Sequence, residues 1–243
     1  MEPLNGSDAA AGAVAVVIPT LNEAECIGEV VKEIPRPLAC EIIVVDGGSN
    51  DGTPTVARAA GARVIEPHGR GYGRACAAGA AAAGAACGII VFMDGDGADR
   101  GDLMAALVEP IRRGVHDFVI ASRTRGAREK GSMSWHQVLA GFLAGLGIGL
   151  LYGVRYSDMC AYRAIRRDCL ERLDMREMTY GWNIEMQMKA AHAGLRILEL
   201  PMPYRCRRGG ASKVAGSLRG TLRAASRIVA TFFRVARSSS TAR

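Results

Sequence analysis

The amino-acid sequence predicts an α/β fold in which a mostly parallel sheet carries helices on both faces. Two observations predict it: short apolar runs alternate with helical segments over the first half of the chain, and these runs are largely continuous instead of alternating with polar residues. Alternation of strand and helix is typical of a parallel sheet, and continuously apolar strands are typical of burial on both faces. In such sheets, ligands bind beyond the carboxyl ends of the strands.

The apolar runs and the breaks between them place each element in order. The strands are predicted over residues 14–18, 41–45, 62–65, 88–93 and 117–121. The helices are predicted over residues 22–34, 53–60, 72–86 and 102–113. Pro35 stops the first helix and Gly61 the second, because proline cannot continue a helix and glycine favours its end. The loops to inspect for function therefore begin after each strand.

An uncharged stretch and a basic region follow. Residues 131–154 are uncharged and long enough to span a membrane, but His136, Gln137 and several glycines favour a buried or membrane-surface helix. Residues 204–243 hold ten Lys or Arg and no Asp or Glu. Since the whole chain has a net charge of +7, the positive excess lies in this last region. Such a concentration indicates a localised anionic partner.

Composition excludes several classes of protein. Hydrophobic residues make up 49% of the chain, which is enough for a core and excludes a disordered chain. The seven cysteines show no metal-ligand spacing, and their odd number argues against a full disulfide framework, so a reducing cytosol is expected. We expect no signal peptide. We also expect no nucleic-acid partner, because the basic region lacks an array of aromatic residues for base stacking.

Three acidic loops directly follow predicted strands. They read PTLNE from Pro19, DGGSNDGT from Asp46 and DGDGAD from Asp94, and we expect them to converge at one edge of the sheet. Asp94 and Asp96 can present two carboxylates to one hard cation, and such oxygen ligands suit Mg²⁺ or Mn²⁺. A glycine-rich loop around Arg70 is either a turn or a further phosphate-binding loop.

These motifs, in this order, resemble those of the family 2 glycosyltransferases, and among them the polyprenyl-phosphate glycosyltransferases. The resemblance covers residues 14–233 and implies a GT-A type, Rossmann-like sheet. It implies that the nucleoside is held by Pro19, Leu21, Glu23, Val44 and Asp46. It also implies that the metal and the diphosphate are held by Asp94, Gly95 and Asp96, with the two aspartates as the metal ligands.

Motifs in the second half of the chain carry the resemblance further. The SR pair at the end of the fifth predicted strand implies that Arg123 faces a substrate phosphate. The segment YSDMCAYR implies acceptor-site roles for Asp158 and Arg163, with a structural Asp–Arg pair as the alternative. The segment RRGGASK matches the family's R-x-x-G-x-S-K and implies that Arg207 and Lys213 bind the diphosphate.

The resemblance implies an inverting, metal-dependent transfer of mannose or glucose from GDP-mannose or UDP-glucose to a polyprenyl phosphate. Transfer to a hydroxyl of a glycan, lipid or small metabolite stays open. A hydroxyl acceptor needs a general base, whereas a phosphate is already anionic near neutral pH. Glu185 is either that base or a structural residue. The candidate catalytic residues are Asp96, Arg123, Asp158 and Glu185.

The last segment predicts an amphipathic helix. At about 100° per residue, one face is apolar and carries Leu218, Leu222, Ala225, Val229, Phe232, Phe233 and Ala236. The neighbouring face carries Arg219, Arg223, Arg227, Arg234 and Arg237. Such a helix favours an anionic membrane surface, with core packing as the alternative. We expect a flexible tail over 1–12, a catalytic domain over 13–213, and a membrane-surface helix and tail over 214–243. The enzyme is expected in the cytoplasm, on the inner face of the membrane.

Overall fold

The strands of the chain form one sheet against which the helices pack. The computed structural model describes residues 12–209 and 218–240. Its strands are β1 (Val14–Thr20), β2 (Ala39–Asp46), β3 (Arg63–Ile65), β4 (Ile89–Phe92), β5 (Phe118–Ser122), β6 (Arg163–Arg166) and β7 (Ile197–Pro201). Its helices are α1 (Ala24–Glu33), α2 (Thr53–Ala59), α3 (Tyr72–Ala82), α4 (Met104–Arg112), α5 (Trp135–Tyr152), α6 (Arg167–Arg172), α7 (Trp182–His192) and α8 (Leu218–Ser240).

The sheet has the order β3-β2-β1-β4-β6-β5-β7, and β6 alone among these strands runs antiparallel to its neighbours. The predicted mostly parallel α/β sheet is therefore confirmed, and β1 to β5 are the five predicted strands. Strands β6 and β7 were not predicted. In the register of the sheet, Thr20 pairs with Asp46 and Val17 with Phe92. This register brings the loops after β1, β2 and β4 to one edge.

The centre of the sheet explains the abundance of valine, isoleucine and small residues. Strand β1 is fully buried from Val14 to Ile18, and burying each such side chain contributes about 1.5–3 kcal/mol. Helix α3 packs so closely on this strand that a Cβ at Gly79 has no room beside Val17 and Val45. The Ala- and Gly-rich sequence of this helix is therefore a consequence of its close contact with the sheet.

Helix α5 is mostly exposed, so the buried alternative for this segment is wrong. One stripe of the helix packs on the chain: Gly141 lies against Asp158, and Gly145 has no room for a Cβ against the Tyr156 carbonyl. The opposite side leaves large apolar side chains exposed, namely Trp135, Leu139, Phe142, Leu143, Leu146, Leu150 and Leu151. By length and composition alone α5 is also able to cross a membrane.

Helix α8 docks on the domain through a different face from the predicted apolar one. Ala224, Thr231 and Val235 are buried, and Thr231 donates a hydrogen bond of 3.1 Å to Glu177. Of the predicted apolar face, Phe232 packs against Gly147 of α5. Leu222, Val229 and Phe233 stay more than half exposed. Core packing therefore accounts for one side of the helix and leaves a second, apolar side uncovered.

Candidate active site

The first two loops are joined by hydrogen bonds at the sheet edge. The Gly47 amide donates to the Thr20 carbonyl at 2.8 Å, and the Glu23 amide donates to Thr53 Oγ1 at 2.9 Å. Asn22 has a positive φ of 54°, so helix α1 begins two residues later than predicted. The side chain of Asn22 accepts a hydrogen bond from the Asn50 amide. These bonds fix the two loops to one another before any ligand binds.

Asp46 organises its own loop. Its Oδ2 accepts hydrogen bonds from the amides of Gly48 and Ser49, at 3.0 and 2.8 Å, and its Oδ1 accepts one from Ser49 Oγ at 2.5 Å. Asp46 and Val44 are both buried, whereas Pro19, Leu21 and Glu23 line an open cleft. The nucleoside role of all five residues stays a prediction. The structure shows that Asp46 shapes the loop over which a base would lie.

The third loop brings three carboxylates together. The Asp94 amide donates to Asp99 Oδ2 at 3.1 Å, and the Ala98 amide donates to Asp96 Oδ1 at 3.0 Å. Gly95 allows the loop to approach β1, because a Cβ there would lie 2.8 Å from Thr20 Cγ2. Within the described ranges no donor reaches the Asp94 carboxylate, which lines the cleft. Asp94 is therefore available to an incoming ligand.

Burial and mutual repulsion oppose ionisation of the acidic cluster. Burial, followed by the charge of Asp96, raises the pKa of Asp94 to about 6. Burial and the charges of Asp94 and Asp96 raise the pKa of Asp99 to about 8. Asp99 is the third acid of the DGDGAD loop, but the sequence alone did not predict a role for it. A cation beside these groups would relieve their mutual repulsion.

The donor set fits a hard divalent cation that is completed by its substrate. No group of three or more His, Cys, Asp or Glu in metal-binding proximity occurs in the described part of the chain. Two carboxylates with further positions left for phosphate oxygens and water are the usual protein contribution to a nucleotide-bound Mg²⁺. Asp94 and Asp96 supply such a pair, and Asp99 accepts a hydrogen bond from the Asp94 amide. The metal-ligand role of Asp94 and Asp96 stays a prediction that this geometry favours.

Arg207 lies across this loop and is paired with two acids. Its Nη1 lies 2.9 and 3.0 Å from the oxygens of Glu23, and its Nη2 lies 3.1 Å from Asp96 Oδ2. The neighbouring backbone is bonded to the acidic loop: the Arg208 amide donates to the Asp96 carbonyl and the Arg205 amide to the Ala98 carbonyl. Lys213, predicted with Arg207, lies outside the described residues.

Arg123 and Asp158, which were predicted separately, form one bidentate pair. Arg123 Nε and Nη2 lie 2.7 and 2.8 Å from the two oxygens of Asp158, and the Arg123 amide donates to the same carboxylate at 3.0 Å. Tyr204 stacks beneath the guanidinium at 5.2 Å. The alternative pairing of Asp158 with Arg163 is wrong, because Arg163 is fully buried and donates to backbone carbonyls instead.

A single cleft of about 1390 Å³ joins these groups. Its sheet end is lined by Pro19, Leu21, Glu23, Gly47, Asp94, Gly95, Asp96 and Arg207. Its helical end is lined by Ser134, His136, Gln137 and Ala140 of the α5 region and by Arg223, Ala224, Arg227 and Ile228 of α8. Arg123 and Asp158 line the same cleft, as does Arg70 of the glycine-rich loop. The cleft therefore runs from the acidic loops to the two surface helices.

The arginines of α8 divide between different surroundings. Arg223 and Arg227 line the cleft, whereas Arg234 pairs with Glu177 at 3.1 Å. The membrane contact of this face stays a prediction, and these three residues also face the cleft or pair with the domain. Helical periodicity placed them on one face, but it does not indicate which part of the fold that face contacts.

Glu185 does not line the cleft. It is 1% exposed, and its Oε2 accepts hydrogen bonds from the amides of Arg176 and Glu177 at 3.1 and 2.7 Å. Its Oε1 pairs with Lys189 at 3.1 Å. A general base must reach the proton that it removes, and this carboxylate is committed to the backbone. The geometry favours the structural alternative that the sequence left open.

The chain is similar in sequence to known glycosyltransferases. The family model described as Glycosyl transferase family 2 matches residues 15–174. An uncharacterized glycosyltransferase of Mycobacterium tuberculosis is 36% identical over 216 residues, covering 88% of this chain and 94% of the relative. A polyprenol monophosphomannose synthase of Mycolicibacterium smegmatis is 31% identical, covering 83% of this chain and 81% of its own. A dolichyl-phosphate hexose transferase of Haloferax volcanii is 34% identical, covering 81% and 84%.

Solved structures show the same fold. Glucosyl-3-phosphoglycerate synthase of Mycobacterium tuberculosis, in complex with phosphoglyceric acid, superposes with a TM-score of 0.73 at 24% identity. The match covers 97% of this chain and 86% of that one. At this identity the likeness establishes the fold, and the expected GT-A type architecture is confirmed.

Proposed function

The chain belongs to glycosyl transferase family 2 and is a glycosyltransferase, and we propose that it transfers mannose or glucose with inversion from a nucleotide-diphosphate sugar to a polyprenyl phosphate. The observation that carries this proposal is the cleft itself. One end holds the acidic pair Asp94 and Asp96, and the other is bordered by helices with exposed apolar side chains. Such an arrangement suits a diphosphate donor at one end and a lipid-linked acceptor at the other.

At the sheet end, the donor is GDP-mannose or UDP-glucose with Mg²⁺ or Mn²⁺. The synthase that shares the fold has been solved with Mn²⁺ and uridine diphosphate, which supports a divalent metal here. Asp94 and Asp96 would hold the cation, which would neutralise charge on the departing nucleotide diphosphate. Arg207 is close enough to Asp96 to contact the same diphosphate. Pro19, Leu21 and the loop shaped by Asp46 would surround the nucleoside.

At the helical end, the acceptor phosphate meets arginines and its lipid meets apolar side chains. Arg223 and Arg227 line the cleft, and Arg123 is oriented towards it by Asp158. Relatives that share about a third of their residues with this chain carry the names polyprenol monophosphomannose synthase and undecaprenyl-phosphate mannosyltransferase, which supports a lipid phosphate. A phosphate oxygen is already a nucleophile, so the absence of Glu185 from the cleft is consistent with this acceptor.

With a lipid acceptor, the enzyme would work at the membrane surface, and we propose that it is a peripheral protein on the cytoplasmic face. The exposed side chains of α5 and α8 would enter the boundary between headgroups and acyl chains, where apolar surface and arginine both bind favourably. Co-sedimentation with anionic vesicles at low and high salt tests this placement. We expect binding at low salt that weakens as salt is added. Absence of binding at low salt contradicts it.

The test of the reaction is a panel of substrates. Purified protein with Mn²⁺ or Mg²⁺ is incubated with GDP-mannose, UDP-glucose and other nucleotide sugars, each with polyprenyl phosphate in vesicles or with 3-phosphoglycerate. We expect release of nucleotide diphosphate coupled to glycolipid from one donor. Product from the soluble hydroxyl acceptor alone would instead support the alternative, transfer to a hydroxyl, which is the acceptor class in the synthase of similar fold.

A further inference from the structure

Arg207 contacts the carboxylate of Asp96, one of the two predicted metal ligands. Both oxygens of this carboxylate are engaged: Oδ1 accepts the Ala98 amide at 3.0 Å, and Oδ2 lies 3.1 Å from Arg207 Nη2. A Mg²⁺ or Mn²⁺ ion needs an oxygen at about 2.1 Å. A metal ion bound to Oδ2 would lie close to this guanidinium, and the two positive charges would repel each other. Binding of a metal at Asp96 is therefore opposed while this ion pair is closed.

Arg207 lies in a row of ion pairs with the α1 region, and its own partner in that row is Glu23. Arg205 pairs with Glu33 at 2.7 Å, Arg208 pairs with Glu29 at 2.7 Å, and Arg207 pairs with Glu23. The Arg207–Glu23 contact is half-buried, and the two terminal nitrogens of the guanidinium both contact acids. The arrangement holds one positive charge over the acidic loop while no ligand is bound.

Charge balance shows what happens when substrate enters. The pyrophosphate of a nucleotide sugar carries two negative charges and a divalent cation two positive ones, so the complex is neutral. With the cation facing Asp96, the charge of this carboxylate is compensated locally without Arg207. An arginine fork binds phosphate oxygens in a bidentate manner as readily as carboxylates. The diphosphate that arrives with the cation offers such oxygens next to Arg207.

We propose that Arg207 is the resident counter-ion of Asp96: it suppresses binding of a divalent cation on its own and transfers to the diphosphate when cation and nucleotide bind together. The inference rests on the proposed nucleotide-sugar donor and gives its site a binding order. Glu23 holds the guanidinium within reach of both partners. This assigns Glu23 a positioning role in place of a direct contact with the nucleoside.

The test measures Mn²⁺ binding to the full chain by the electron paramagnetic resonance signal of free Mn²⁺, alone and with UDP or GDP. We expect weak binding of Mn²⁺ alone to wild type and much tighter binding with nucleotide. Arg207→Gln is expected to bind Mn²⁺ alone roughly tenfold or more tightly, the size of effect that a neighbouring charge has on protonation of a carboxylate. It is expected to lose most of the gain on adding nucleotide.

Two further variants separate charge from folding. Arg207→Lys keeps the charge and is expected to keep the suppressed binding of Mn²⁺ alone. Arg208→Gln removes the adjacent exposed pair with Glu29 and is expected to behave as wild type. If wild type and Arg207→Gln bind Mn²⁺ alone with equal affinity, and both bind it more tightly with nucleotide, the inference is wrong but the proposed donor stands. Failure of every variant to bind Mn²⁺ with either nucleotide overturns the proposed donor as well.

Discussion

The two ends of the cleft are built differently. At the sheet end, the loops follow parallel strands, and their backbone amides bond to the carboxylates of Asp46, Asp96 and Asp99. At the helical end, two surface helices contribute arginines to the cleft and expose leucine, phenylalanine and tryptophan to solvent. The proposed donor site is therefore fixed by the sheet, whereas the proposed acceptor site depends on a surface that the described part of the chain leaves uncovered.

The largest expected effect is at the sheet end. Asp94→Ala and Asp96→Ala should each lower the rate of sugar transfer by roughly 10³-fold or more. The reason is that both carboxylates are proposed to hold the divalent cation that stabilises the leaving diphosphate. Asp102→Asn is a matched control, since Asp102 pairs with Arg100 at the surface. Initial rates and circular dichroism check the result. Substantial turnover in either alanine variant, or full activity in EDTA, rules out the metal assignment.

Breaking the Arg123–Asp158 pair, which lies between the two ends of the cleft, should lower the free energy of unfolding by a large amount. Asp158→Asn leaves the Arg123 guanidinium without its charged partner, and opening a buried pair in this way costs about 3–5 kcal/mol. Asp174→Asn, in an exposed pair with Arg176, should cost about 0–1 kcal/mol. Urea unfolding of both variants measures the difference. Equal losses would show that the Arg123–Asp158 pair is not a structural link.

The acidic cluster predicts a dependence of stability on pH. The pKa of Asp94 is raised in the folded state to about 6, so the folded protein binds more protons than the unfolded one between about pH 4 and 6. Stability without metal should therefore fall as pH rises through this window. Asp99, with its pKa raised to about 8, extends the fall towards neutral pH.

Thermal unfolding from pH 5 to pH 8 checks this dependence in wild type and in Asp94→Asn. The fall in the free energy of unfolding between pH 5 and pH 8 should be smaller in the variant, by on the order of 1–3 kcal/mol, because its side chain has no proton to release. The stabilisation by Mn²⁺ in wild type should grow over the same range, since protons and metal compete for the same oxygens. An identical slope in the two proteins contradicts the assignment.

The smallest effect on activity is expected at Glu185. Glu185→Gln should keep kcat within a few fold, whereas the free energy of unfolding should fall by about 1–3 kcal/mol, since a buried carboxylate that accepts two amides is replaced. Initial rates with the favoured donor and urea unfolding measure both quantities. A loss of kcat of about 10²–10⁴-fold in a folded variant would instead indicate a general base and a hydroxyl acceptor.

The sheet end was largely predictable because its signals are local. Apolar runs located β1 to β5, and the runs of β1, β2 and β4 each end at a loop that carries acidic residues. Strand β6 escaped prediction because it reads Arg-Ala-Ile-Arg, and Arg163 is hidden by hydrogen bonds to carbonyls rather than by apolar character. The pairing of Arg123 with Asp158 spans 35 residues, so only the folded chain shows it.

The helical end was less predictable because its faces depend on docking. The period of α8 gave one apolar and one cationic face, but the helix docks through Ala224, Thr231 and Val235. Small and polar residues at this face have no apolar signature in the sequence. The contact of Arg207 with Glu23 likewise joins residues that are 184 positions apart. Long-range ion pairs of this kind leave no periodic trace.

The most direct test of the account compares transfer into lipid phosphate by wild type and by Leu222→Ser/Val229→Ser/Phe233→Ser. These three side chains are exposed and lie outside the cleft, so the variant should fold and bind nucleotide as wild type does. The measurement is the rate at which labelled sugar enters polyprenyl phosphate in anionic vesicles. The account predicts at least a tenfold lower rate for the variant, roughly the loss expected from removing apolar membrane contacts. Equal rates for the two proteins, or no glycolipid from wild type with any donor, would contradict it.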